Sequence, residues 1–260
     1  MEMVLLAIPL GIAIGLVIGA VGGGGAILAL PVLVYVLGEG VGPAATAALI
    51  VVAIAAGVGA GALALRGHVC WRIALTFVVP AALGAVAGTV AHAAISAQAL
   101  ILSFVPVMLV ASAATWQRAA RFSGEETGAC PQVLTGRIVI AGLGVGALTG
   151  FFGVGGGFLI VPVLTLWLGF SFRRAIATSL VIITLTGSAA LASHLAFGAA
   201  PDVPLTIALA LSTGVGAMIG ALLAQRMPQA ALGRAFAVVV GLLAVFLLID
   251  ALLLGGPPQG

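Results

Sequence analysis

Long stretches without charge dominate this sequence and limit what it can fold into. A helix needs about 20 apolar residues to cross roughly 30 Å of hydrocarbon, and most of these stretches reach that length. Only 6% of the residues are charged, whereas a soluble domain carries about 25%. We therefore predict an all-α polytopic membrane protein that lies in a lipid bilayer. The stretches are 3–37, 44–65, 73–91, 99–114, 138–168, 175–200, 203–224 and 235–249.

The charges and the cysteines point away from two other classes of protein. The net charge is +3, but all nine positive residues are arginines scattered between the apolar stretches. This distribution is typical of membrane topology, so we expect no nucleic-acid partner. Cys70 and Cys130 lie far apart in the sequence and match no metal or redox spacing. We interpret them as free thiols.

The second half of the chain repeats the first. A shift of 131 residues brings the glycine pattern at 15–25 onto the pattern at 146–156. Ordered matches through a whole half indicate an internal duplication. We predict an N-terminal transmembrane repeat at 1–116, a cytoplasmic linker at 117–137 and a C-terminal transmembrane repeat at 138–260. Further matches, the later ones with one residue of slippage, are Pro31-Val32-Leu33 with Pro162-Val163-Leu164, Ala45-Thr46 with Ala177-Thr178, and Gly84-Ala85-xx-Gly88 with Gly216-Ala217-xx-Gly220.

Two apolar stretches, 3–37 and 138–168, are too long for one crossing and contain glycine clusters at 22–25 and 153–157. Glycine runs break helices, so we interpret each stretch as a helical hairpin. About eight long hydrophobic runs then give ten helical segments, five in each half, and the halves have opposite orientations. If each stretch were one crossing, the arginines would split five to four between the two sides.

With the hairpins, all nine arginines lie on one side, and the acidic residues Glu39 and Asp202 lie on the other with both termini. An excess of arginine marks the cytoplasmic face. We predict a multi-pass protein of the cell membrane with its arginine-bearing loops in the cytoplasm and both termini outside.

The glycine hairpins are the candidate substrate site. Their return arms have only about a dozen apolar residues, roughly 18 Å of helix, so the tips are expected inside the membrane, facing each other. The first amides of a helix lack intrahelical acceptors and carry partial positive charge, which suits an anion. Proline has no amide hydrogen, so the carbonyl one turn before the proline in each return arm receives no helical hydrogen bond and stays available as an acceptor. The alternative is that the glycines only permit close helix crossing. The predicted binding residues here are Gly22, Gly23, Gly24, Gly25, Ala26, Pro31, Gly153, Gly155, Gly156, Gly157 and Pro162.

Three hydroxyl residues, Thr46, Thr178 and Ser179, follow the hairpins and complete the predicted substrate site. Hydroxyls in membrane helices usually bond to their own backbone, which is the alternative for these three. His194 lies near a helix end. Its side chain either has a structural role at that helix end or relays protons. The other glycine pairs, Gly57-xxx-Gly61, Gly84-xxx-Gly88 and Gly216-xxx-Gly220, are expected to be helix-packing faces.

No constellation of catalytic, metal-binding or nucleotide-binding residues is evident in the sequence. We expect no enzyme activity, no metal and no cofactor, and transport that runs on gradients. The sequence thus favours a secondary transporter or facilitator for a small anion. A membrane scaffold or assembly factor without transport of its own is the alternative.

A glycine-rich break followed by Pro-Val-Leu occurs in both halves and resembles the sulfite exporter (TauE/SafE) permease family. The similarity covers nearly the whole chain, including its length and its duplication. It implies a permease for sulfite or another sulfur oxyanion or organosulfonate, often an exporter. The two motifs differ where Ala26 stands against Gly157, so the two sites need not be equivalent. Small-residue faces are compatible with a homodimer. The motifs are Gly19-AV-GGGG-AILAL-Pro31-Val32-Leu33 and Gly150-FF-GVGGG-FLIV-Pro162-Val163-Leu164.

Overall fold

The computed structural model describes residues 2–23, 26–92, 97–121, 129–152, 157–197 and 201–249. Within these ranges the regular structure is ten α-helical segments, which confirms the predicted all-α membrane class and the number of segments. Six of them (α3, α4, α6, α8, α9 and α10) are long and apolar enough to cross a membrane. The segments are α1 Glu2–Val21, α2 Ala26–Pro31, α3 Val41–Ala64, α4 Trp71–His92, α5 Ala97–Arg121, α6 Thr135–Phe152, α7 Gly157–Pro162, α8 Phe172–Phe197, α9 Val203–Ala224 and α10 Gln229–Ile249.

The helices α2 and α7 are the short return arms of two hairpins whose long arms are α1 and α6. Each short helix ends at a proline and continues as a π-helical turn, at Val32–Val36 and Val163–Trp167. The amide of Leu37 donates to the carbonyl of Val32 at 3.0 Å, five residues back. Such turns are rare and are often found at functional sites. The same irregularity therefore occurs at matching places in both halves.

Arginine side chains join the loops at one end of the helix bundle. The guanidinium of Arg66, after α3, donates to the side chain of Gln225, after α9. Arg118, near the end of α5, donates to the carbonyl of Phe170 at 3.4 Å in the loop between the second hairpin and α8. We name this the arginine end of the molecule.

The opposite end carries acidic residues. Glu39 lies between the first hairpin and α3, and Asp202 caps the start of α9, where its carboxylate accepts from the amide of Leu205 at 3.0 Å. Burial, and then the negative charge of Asp202, raise the pKa of the Glu39 carboxyl above its usual value. Leu37 and Leu205 belong to one apolar cluster, which holds these loops together. We name this the Glu39 end.

Backbone contacts at glycines fasten α1 to α9. A Cβ atom at Gly15 would overlap the carbonyl of Thr213, and one at Gly19 would overlap the carbonyl of Ala217. From the other helix, a Cβ at Gly216 would overlap the carbonyl of Ile12. Small residues permit this close approach of two helices in a membrane. The residue numbers rise together along both helices, so α1 and α9 run in the same direction, from the Glu39 end to the arginine end.

The same device fastens α6 to α4. Cβ atoms at Gly146 and Gly150 would overlap the carbonyls of Ala81 and Ala85, and one at Gly88 would overlap the carbonyl of Ala147. The helices α4 and α6 also run in the same direction as each other, but they run from the arginine end to the Glu39 end. The long arms α1 and α6 therefore point in opposite directions. Each long arm pairs with a helix from the other half of the chain.

The glycine pairs in α4 and α9 are thus confirmed as packing faces, whereas the prediction for α3 is partly wrong. A Cβ at Gly57 would make ordinary contact with the Thr184 methyl group at 3.5 Å. Gly61 is exposed and has no neighbour within 4 Å of the position of a Cβ. It lies on the outer surface of the bundle, where its small size serves no contact.

The prediction of free thiols is wrong, because Cys70 and Cys130 form a disulfide with their Cα atoms 5.8 Å apart. Cys70 directly precedes α4, and Cys130 lies in the segment before α6. Since these two helices are packed side by side, the segments that precede them meet at the arginine end. The separation of 60 residues hid this pairing, which depends on the contact between helices and not on sequence spacing.

Replacing Gly216 by Leu should destabilise the fold, because the side chain would be forced into the backbone of α1. Overpacking of this kind typically costs about 1–3 kcal/mol or more. Gly61→Leu is the matched control, since its side chain would enter open space. Thermal unfolding of the detergent-solubilised protein should show a lower midpoint for Gly216→Leu alone. Equal loss in both variants would contradict the packing assignment.

The disulfide should protect both cysteines from thiol reagents. Unfolded, non-reduced protein is expected to take up no maleimide, and reduced protein should take up label at both Cys70 and Cys130. Mass spectrometry of the intact chain measures the added mass. Labelling without a reductant would show that the two cysteines are not paired.

Candidate functional site

The tips of the two hairpins meet inside the bundle. A Cβ atom at Gly23 would overlap the carbonyl of Gly157, and one at Gly157 would lie 3.1 Å from the Cα of Gly23. A Cβ at Gly157 would also lie 2.9 Å from the side chain of Ile183, which is near the middle of α8. The two predicted tips are therefore in backbone contact, with Gly157 at about half the depth of a spanning helix.

A hydroxyl group lies beside the first tip. Gly22 adopts a positive φ of +77°, which a glycine tolerates without strain, and this turns the chain at the end of α1. A Cβ there would lie 2.8 Å from the Ser179 hydroxyl and 3.1 Å from a methyl group of Val161. The Ser179 hydroxyl donates to the carbonyl of Ile176 at 2.9 Å. Its oxygen still has lone-pair capacity for a donor at the tip.

The structure does not gather all three predicted hydroxyls in one place. Thr178 is fully buried next to Ser179, but its hydroxyl accepts from the amide of Cys70 at 3.2 Å, which ties α8 to the start of α4. Thr46 is also buried, in the second turn of α3 near the Glu39 end, and donates to the carbonyl of Gly42 at 3.5 Å. These two threonines therefore lie towards opposite ends of the molecule.

The remaining predicted site residues belong to the same two hairpins. Ala26 begins α2, Pro31 ends it and is half-buried, and Pro162 ends α7 in a fully buried position. Gly24, Gly25, Gly153, Gly155 and Gly156 lie outside the described residues, as does the side chain of His194.

An aromatic cluster supports the second tip. The ring of Phe104 in α5 packs against Phe152 at 4.8 Å and against Phe158 at 5.2 Å between centroids. These two phenylalanines stand on either side of the glycine segment that forms the tip. Phe104 thus fixes both arms of the hairpin at the point where the chain reverses, a role that the sequence analysis did not identify.

A cavity of about 650 Å³ reaches the second tip. It lies between α4 and α6 on one side and α3, α7 and α8 on the other, and Gly157 is part of its wall. From there it extends along α4 to Thr89 and Val90, towards the Glu39 end. Sequence reasoning missed this cavity because its walls are ordinary apolar helix residues, which carry no local signal.

The described wall of the cavity contains no charged side chain. Three threonines supply its hydroxyl groups, and each bonds to its own helix: Thr89 to Ala85, Thr149 to Val145 and Thr186 to Ile182. Within the described residues there is also no group of three His, Cys, Asp or Glu side chains placed to hold a metal. Among the described residues, a solute in this cavity would therefore meet hydroxyls, backbone groups and apolar side chains.

Comparison with known proteins identifies relatives along nearly the entire length. Two proteins of Xylella fastidiosa, each described as a probable membrane transporter protein, are similar to this chain. The protein from strain Temecula1 is 32% identical over 246 residues, which cover 90% of this chain and 91% of that protein. The protein from strain 9a5c is 31% identical over 241 residues, with the same coverage. No solved structure matches. The family model for the sulfite exporter TauE/SafE matches residues 7–247, and the chain accordingly belongs to this family of membrane transporters.

Proposed function

We propose that the protein is a secondary transporter or facilitator for a small anion, such as sulfite, another sulfur oxyanion or an organosulfonate. The observation that carries this proposal is the contact between the two glycine tips, with a cavity reaching Gly157. The family supplies the transport function, and the absence of charged side chains from the described cavity wall agrees with binding through backbone groups. Catalysis plays no part in this mechanism.

The backbone of the two tips would hold the anion. Amides at the start of a helix have no intrahelical acceptor and carry partial positive charge. Here α2 begins at Ala26 and α7 begins at Gly157, and the contact of Gly23 with Gly157 brings the two starts close together. The hydroxyl of Ser179 lies at the same place. An anion bound at the tips would lie beside the cavity that reaches Gly157, which is large enough to admit a small solute.

The opposite directions of α1 and α6 support the inverted repeat that we propose for the two halves. In such transporters, substrates bind near the bilayer midplane where interrupted helices of the two repeats meet. One chain contains both hairpins. A homodimer, which small-residue faces on the surface would permit, is therefore not needed to complete the site.

Replacing Gly155 by Val should abolish transport, because only glycine lets an anion approach the amides of the proposed site without a Cβ atom in the way. Gly24→Val is expected to do the same in the first hairpin. Gly144→Val is the matched control, because this exposed glycine of α6 has no neighbour within 4 Å of a Cβ. The measurement is uptake of labelled sulfite, sulfate and a short organosulfonate into proteoliposomes, with and without imposed gradients of potential and pH.

Loss of flux in both tip variants, with normal expression and normal flux in Gly144→Val, would support the site. Normal flux in both tip variants would refute it. If correctly folded wild-type protein carried none of these anions, a different solute or the scaffold function would become the better explanation.

We also propose that the arginine end faces the cytoplasm, with both termini outside. The excess of positive charge favours this orientation, and arginines near the membrane surface would raise the local concentration of an anion awaiting export. The Cys70–Cys130 disulfide lies at the same end, although disulfides are rare in the reducing cytoplasm. Nine arginines support a cytoplasmic arginine end, whereas one disulfide opposes it. We therefore favour the cytoplasmic orientation.

Reporter fusions test the orientation. Alkaline phosphatase fused to the C-terminus should be active, because it folds only outside the cytoplasm, and a green fluorescent protein fused there should be dark. A fluorescent fusion inserted between residues 122 and 128 is expected to be bright. The reverse pattern would place the arginine end, together with its disulfide, outside.

A further inference from the structure

The two halves pack differently where α9 meets α3 and where α4 meets α8. The sequence repeat aligns α3 with α8 and α4 with α9, so the contact of α9 with α3 corresponds to that of α4 with α8. In the structure α9 packs along α3 over a long stretch, whereas α4 touches α8 over a much shorter one. In another matching pair, the contacts of α1 with α9 and of α6 with α4 are almost equally extensive.

The closed interface has a well-defined contact. A Cβ atom at Gly214 in α9 would lie 3.7 Å from methyl groups of both Ile54 and Val58 in α3. Gly59 of α3 also approaches the carbonyl of Ala217, at 3.9 Å from the position of a Cβ. Small residues in α9 therefore let it lie flat against α3.

The residues that the repeat aligns with this contact line the open cavity. Gly214 corresponds to Ala82, Ile54 to Thr186, and Val58 to Ala190. Ala82 lies on the α4 side of the cavity, and Thr186 and Ala190 lie on the α8 side. The cavity therefore occupies the place where a contact would lie if the second interface were closed like the first.

From this we infer that the cavity between α4 and α8 is one of two repeat-related access pathways for the transported anion, and that transport exchanges the open and closed interfaces. In the alternate state Ala82 packs against Thr186 and Ala190, while Gly214 separates from Ile54 and Val58. The open pathway then extends between α9 and α3 towards the arginine end. This inference rests on the proposed transport function.

The glycine contacts determine which parts move together. Because α4 and α6 touch backbone to backbone, α4 cannot close onto α8 without taking along α6, the long arm that leads to the second tip. The pair α1 and α9 is fastened in the same way and carries the first tip. Each movement therefore shifts a long arm relative to the tips that it leads to, which couples the site to the change of access.

Two pairs of introduced cysteines distinguish the states. Val58→Cys with Gly214→Cys joins the interface that is closed in this structure, and Ala82→Cys with Ala190→Cys joins the one that is open. Both pairs are built in a Cys70→Ser/Cys130→Ser background whose flux is first compared with wild type. The four single variants are controls. If the background is inactive, the same pairs are scored in the native chain by mass spectrometry of the linked peptides.

Oxidation should link the first pair readily, and linkage of either pair should stop anion flux until the link is reduced. The pair in α4 and α8 should link more slowly without substrate and faster during transport. Unchanged flux through protein fully linked at Val58→Cys and Gly214→Cys would overturn the inference while leaving the transport function intact. Failure of the pair in α4 and α8 to link in actively transporting protein would overturn it as well.

If wild-type protein showed no flux of any anion, the proposed function would fail, and the linking results would then decide the inference alone. Linkage of both pairs within one population would support two exchanging states. Linkage of the α3–α9 pair only would refute them.

Discussion

The close approach of backbones at glycine residues is the constraint on which the rest of this structure depends. In a bilayer, the hydrophobic effect does not drive helices together, because lipid tails are as apolar as the helix surfaces. Helix association therefore relies on tight packing. Gly15 and Gly19 of α1 meet the carbonyls of α9, and Gly146 and Gly150 of α6 meet those of α4. Each contact joins the long arm of a hairpin to a helix of the other half. The hairpins are thereby held in the bundle although their return arms are too short to span it.

Much of this architecture could be predicted from the sequence, because its signals are local. Glycine clusters interrupt two apolar stretches that are too long for one helix, and the arginines fall on one side only if those stretches turn back. The tips, the short return arms and the meeting of Gly23 with Gly157 follow from these two facts. The family resemblance was confirmed by the family match over residues 7–247. The inverted repeat itself is still a prediction, which the opposite directions of α1 and α6 support.

The features that could not be predicted depend on how helices pack at a distance. The disulfide required knowledge that α4 lies against α6, and the cavity exists only because α4 stands away from α8. Phe104 stabilises the second tip from a helix about 50 residues earlier in the chain. The grouping of Thr46 with Thr178 assumed that residues matched by the repeat would meet in one site. In a structure whose halves point in opposite directions, matched residues in the second turns of α3 and α8 lie towards opposite ends instead.

The separation of α4 from α8 has a geometry that suits a pivoting movement. At the arginine end, the hydrogen bond from the amide of Cys70 to the hydroxyl of Thr178 holds the start of α4 against α8. Farther along, towards Thr89 and Val90, the two helices line opposite sides of the cavity. The disulfide from Cys70 to Cys130 joins segments that precede α4 and α6, so it lies within the pair of helices that would move together. Closure of α4 onto α8 about this end would move the two segments joined by the disulfide together and would narrow the cavity most at its far end. Thr178, which is still predicted to bind substrate, would on this geometry also belong to the pivot, and Ser179 is the hydroxyl of the pair that lies at the tip.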